Sequence, residues 1–192
     1  GEVKKAREEA EAELEIDAIV IAHRAYSGRG RADPKVEERV ERILWFYDNV
    51  RHARASAVWA LGELGCREST FFIGGMVKNW ERALEREGME FILAAVEALG
   101  KLAVGTETKR SLDALMAIVE DGAAPAPLRE MAVISSERVA GRMGSNVLED
   151  VRERVGKCGG DAFPRVKAWR AREKKGRDAP FPAITQRKGG IC

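Results

Sequence analysis

The side chains best able to do chemistry in this 192-residue chain crowd toward its C-terminal end: Arg165, Lys167, Trp169, Arg170, Arg172, Lys174, Lys175 and Arg177, with Phe163 before them and Phe181-Pro182 after. Cations flanking aromatic rings can pair with phosphates while the rings stack on bases. The same residues can lie in an acidic groove of a partner protein, with Phe181 as an apolar anchor. Elsewhere the chemistry is sparse. His23 and His52 are the only histidines, and neither belongs to a His-x-x-x-His or His-Glu pair, so a metal-ligand spacing is missing. Cys66, Cys158 and Cys192 are widely spaced and odd in number, which argues against a disulfide scaffold or a zinc module and for a reducing compartment. Cys66 follows Gly65 at a helix end but has no adjacent histidine to activate it, and it reads as a structural cysteine. Gly28-Arg29-Gly30 lacks the third glycine and the preceding strand of a dinucleotide fingerprint and reads as a flexible basic linker. The expectation is therefore no catalytic residue, no cofactor and no metal, with the arm residues above as the partner-binding set.

The charge balance places those cations in context. Residues 1–150 carry 21 Lys and Arg against 27 Asp and Glu, whereas 151–192 carry 12 against 4. An acidic body thus bears a basic tail, and such a tail seeks an acidic protein surface or RNA. With 45% apolar and 33% charged residues the chain is too apolar to be disordered throughout. Its longest apolar run, Ile16 to Ala22, contains Asp17 and is far shorter than the ~20 residues of a membrane-spanning helix.

The elements that must position these groups all read as helices. A first helix pattern runs from Glu2 to about Ala25, apolar at Leu14, Ile16, Ile19, Val20 and Ile21. Asp33-Pro34 restarts a helix as N-cap and first helical residue, and Val36, Val40, Ile43, Leu44 and Tyr47 give it an apolar stripe. Further helices are expected over about 50–64, 69–87 with Gly88 as a C-terminal cap, 89–104, 107–120 and 128–142. Asn146 with Glu149 three residues on has the form of a capping box opening another that ends near Gly156. After Gly159-Gly160 the composition turns to Pro, Gly, Lys and Arg, with a short helix over 164–175 and no regular structure from 176 onward.

The chain also repeats itself. Ala57-Val58-Trp59-Ala60-Leu61-Gly62-Glu63-Leu64 matches Ala95-Val96-Glu97-Ala98-Leu99-Gly100-Lys101-Leu102 at an offset of 38, and a worn third copy aligns Gly141 with Gly62 at an offset of 79. A period near 39 suits two helices and two turns, a unit that cannot bury its apolar face alone. Small residues at the recurring glycines let neighbouring helices approach, while Leu61, Leu64, Leu99 and Leu102 fill the space between layers.

Val50-Arg51-x-x-Arg54-Ala55-x-Ala57-x-x-Ala60-Leu61-Gly62-x-Leu64-Gly65 resembles the second helix of a HEAT repeat, in the short variety shared with phycobilisome lyase-like proteins. The resemblance spans about residues 35–145; it fits at Asp48, Val50, Arg51, Leu61 and Gly62, keeps Leu99-Gly100 in the second unit, and loses the leucine before Gly141 in the third. It implies an all-α, right-handed solenoid of about three HEAT-like helix pairs. The expected organisation is an N-terminal capping helix over 1–26, a repeat domain over 34–156 and a basic, mostly extended arm over 157–192. The expected function is a noncatalytic protein-binding scaffold or adaptor subunit of a larger assembly. RNA binding through the arm is the alternative, and a bilin-lyase-like accessory role, implied by the resemblance alone, is the third. The expected setting is intracellular, soluble or peripheral.

Overall fold

The computed structural model describes residues 3, 4, 35, 38 and 40, then 51–65 and 67–178. Apart from Val3 and Lys4, the expected helix over 1–26 lies outside the described residues, as do Val50, Cys66, Cys192 and Phe181 and the side chains of Arg51, His52 and Arg177. What is described is all helix: α1 (Arg51–Leu64), α2 (Thr70–Lys78), α3 (Trp80–Glu87), α4 (Met89–Leu102), α5 (Thr108–Glu120), α6 (Ala126–Met143), α7 (Ser145–Lys157) and α8 (Pro164–Asp178).

Apolar spacing explains why these segments coil and which side they bury. In α4, Phe91, Ile92, Ala95, Val96, Leu99 and Leu102 recur at three- and four-residue steps, and all are buried. Full burial of one such leucine stabilises the fold by roughly 1.5–3 kcal/mol. At Gly88, between α3 and α4, φ is +92°, a region open to glycine but costly for a side chain, so the chain can reverse there.

The helices stack in two rows. One row runs α1, α4, α6, α8, each packed on the next; the other runs α2, α5, α7, with α3 lying against α4. Helices of the first row start at residues 51, 89, 126 and 164, and those of the second at 70, 108 and 145, so every step is 37 or 38 residues. This is the HEAT-like arrangement of helix pairs that the repeat implies.

Four expectations need correction. First, the segment expected to be a mostly extended arm from 157 onward is ordered through 178: α7 runs to Lys157, and α8 is the fourth helix of the first row, with Val166 and Trp169 buried against the stack. The repeat therefore continues past 156. Second, Gly141 is not a close-packing glycine. A Cβ added there meets nothing within 4 Å, whereas one at Gly62 would lie 2.7 Å from the Ala98 Cα and one at Gly100 2.6 Å from the Ser135 Cβ. By helix starts, the equivalent of Gly62 and Gly100 in the third helix of the first row is Glu137. Third, the capping box does not form, because α7 begins at Ser145 with Gly144 as its cap and no side-chain cap hydrogen bond. Fourth, the expected single helix over 69–87 is divided at Asn79, whose Nδ2 donates to the Gly75 carbonyl at 2.8 Å.

Candidate functional site

The outward face of the first row carries a groove. Its wider part, about 440 Å³, is lined by Ala55, Ser56 and Trp59 of α1, by Glu90, Leu93, Ala94 and Glu97 of α4, and by Met131 and Arg165. It continues into a narrower cavity of about 170 Å³ between α4, α6 and α8, where Arg138, Arg165 and Arg172 surround Ile134, Ala168 and Trp169. Glu97, Met131 and Arg165 border both parts, so the two form one path across four consecutive helices.

Ion pairs fix the scaffold around this path. Lys101 is held between Glu63 of α1 and Glu97 of α4, the latter at 2.8 Å. Arg54 makes a two-pronged pair with Glu87 at 3.0 and 3.1 Å and lies over the Phe91 ring. Bidentate pairing of this kind fixes direction as well as distance.

Helix α8 is seated by two carboxylates of α6. The Glu130 Oε1 accepts the Arg165 backbone N–H at 2.7 Å, placing a negative charge at the N-terminus of α8, where the helix dipole favours it. Glu137, whose side chain is wholly buried, receives Arg152 at 3.2 Å and the Arg170 Nε at 2.9 Å; Arg170 also reaches Asp161 at 2.6 Å. Burial works to lower the Arg170 pKa, but the hydrogen bonds to Glu137 and Asp161 outweigh it and hold the guanidinium above its ordinary value. The C-terminal end of α4 is tied down by Arg142, which donates to the carbonyls of Gly100 at 2.6 Å and Ala103 at 3.0 Å.

The residues singled out near the C-terminus therefore separate into distinct settings. Arg165 and Arg172 line the narrow cavity from its exposed rim, with Trp169 buried beside them. Arg170 turns away from it to Glu137 and Asp161. Lys167, Lys174 and Lys175 are exposed on α8 and do not line the cavity. Arg177 falls in the last turn of α8. Among the repeat residues, Leu61, Leu64, Leu99 and Leu102 are buried and Gly62 and Gly100 make the close approaches expected of them.

Sequence reasoning missed Arg138, Glu97, Trp59 and Leu93 as groove residues. A usable signal was present: Pro127 and Pro164 are 37 residues apart, each at the opening of a first-row helix, and they mark the fourth unit that brings α8 over Arg138. Among the described residues, no group of three His, Cys, Asp or Glu side chains could hold a metal ion, and no helix is long and apolar enough to cross a membrane.

Residues 53–71 match the family described as PBS lyase HEAT-like repeat, the stretch that holds most of α1 and the turn into α2. No curated protein and no solved structure matches the chain.

Proposed function

We propose that the chain is a noncatalytic protein-binding scaffold, an adaptor or structural subunit that holds a partner along the first-row groove. The observation that carries this reading is the continuity of the groove over α1, α4, α6 and α8, on a framework braced by ion pairs between helices. A rigid stack of helix pairs presents an extended surface that a single globular domain does not. The groove mixes apolar floor with both signs of charge, the composition of a protein interface. Glu90 and Glu97 of α4 supply the negative charge of the groove, and Arg165 supplies positive charge beside them.

The test is co-purification from native extract after nuclease treatment, with the wild-type chain beside Leu93→Asp. A fixed set of companion proteins that survives nuclease and is lost with Leu93→Asp, while the variant keeps its melting temperature, is the expected result. Companions lost to nuclease, or retained by the variant, would overturn the reading.

A further inference from the structure

The geometry points to a docking site for an acidic, extended segment of a partner protein at the α8 end of the groove, with its carboxylates on Arg138, Arg165 and Arg172. This inference rests on the scaffold reading above and specifies the chemistry of what the groove accepts.

The first support is an imbalance of partners. Arg54, Lys101, Arg152, Arg154 and Arg170 all have carboxylates within 4 Å. Among the described residues, the guanidiniums of Arg138, Arg165 and Arg172 have none, although they surround one cavity. Glu97, which lines the cavity, pairs with Lys101, and Glu130 accepts the Arg165 backbone N–H. The Nη1 of Arg138 is buried and has no hydrogen-bond partner. A buried donor left unmade is unfavourable, and a charged one more so, so an anion arriving in this cavity satisfies what the fold leaves open. The pKa of the neighbouring Arg142 guanidinium is held below its ordinary value by desolvation and then by the Arg138 charge.

The second support is spacing. Arg165 and Arg172 are seven residues apart on α8, two helical turns, or roughly 10.5 Å along the axis. A segment with acids at that spacing meets both without drawing the two side chains together. In an extended peptide, side chains on one side recur about every 6.6 Å, so two or three acidic residues along a strand reach all three arginines. The wider part beside Trp59 and Leu93 then receives an apolar side chain of the same segment. The groove thus has a direction, with acid toward α8 and apolar toward α1.

The experiment uses the full chain and three fluorescein-labelled probes read by anisotropy: a peptide of about ten residues with alternating Glu followed by Leu, its Gln counterpart, and a single-stranded oligonucleotide of equal charge. The Glu peptide is expected to bind at least about tenfold tighter than the Gln peptide and the oligonucleotide. Arg165→Gln with Arg172→Gln should remove at least about tenfold of that affinity with helicity intact, and Lys109→Gln, exposed on α5 in the other row, should not. Equal binding of the Glu and Gln peptides, or full affinity in the double variant, overturns the proposal. So does an oligonucleotide that binds tighter than the Glu peptide and is lost with the same arginines. The co-purification assay separates the two readings. If the double arginine variant keeps companions that Leu93→Asp loses, the acidic specificity fails and the scaffold stands; if both keep them, the scaffold fails as well.

Discussion

Between α1 and α4, and again between α4 and α6, neighbouring helices meet at a glycine, Gly62 on Ala98 and Gly100 on Ser135; between α6 and α8 the equivalent position is Glu137, and an ion pair with Arg170 replaces the close approach. Ala98 and Ser135 are buried in those contacts, while Glu173, the residue that helix starts place opposite Glu137, is exposed. A glycine contact is short-ranged and indifferent to salt. It also leaves no room for anything else. A carboxylate with two arginines holds its neighbour at arm's length, and the arginine-lined cavity lies beside that looser contact. The same stack is therefore closely packed at one end and leaves a cavity at the other.

That contrast can be broken at several points. Trp169→Ala removes the one large apolar side chain that α8 buries and should cost about 3 kcal/mol, read as a lower urea midpoint. A loss under about 1 kcal/mol would mean that α8 is not packed as described. Gly100→Ala forces a methyl to within 2.9 Å of the Ser135 backbone and should cost about 2 kcal/mol, with the same value at low and high salt. Arg170→Gln leaves Glu137 with Arg152 alone and should cost about 1–2 kcal/mol, a figure that shrinks as sodium chloride is added because Arg170 is partly exposed. If the Gly100 and Arg170 penalties respond alike to salt, the two contacts do not differ in kind.

The smallest effect belongs to the exposed pair on α7. A hydrogen bond from Lys157, and then its charge, holds the Glu153 carboxyl below the ordinary carboxylate pKa. A depressed carboxylate pKa contributes stability above the ordinary value and loses it as pH falls through the depressed one. Lys157→Gln should return the Glu153 titration, followed by NMR, to the ordinary carboxylate range while leaving the urea midpoint at neutral pH nearly unchanged.

Much of the first row was legible because α1 and α4 repeat both apolar residues and glycine. The third unit was misread by one turn: the alignment at an offset of 79 put Gly141 where helix starts, at an offset of 75, put Glu137. A slip of four residues preserves the apolar face of a helix, so periodicity alone cannot detect it. Helix α8 was half legible. Its helical propensity and proline start were visible, but only Val166 and Trp169 mark its buried side, too little apolar content to announce a packed helix. The groove was not legible, since it depends on which outward residues of four separate helices lie side by side.

Glu130 and Glu137 sit two turns apart on α6 and hold α8 at its first turn and near its middle. Both handholds belong to the neighbour, and α8 brings little apolar surface of its own, so its docking is a local equilibrium that can open without melting the rest of the stack. The arginine cavity exists only while α8 is seated. Occupancy of the cavity and closure of the last helix are therefore thermodynamically linked, and any ligand held there must shift α8 toward its docked state in proportion to its own affinity.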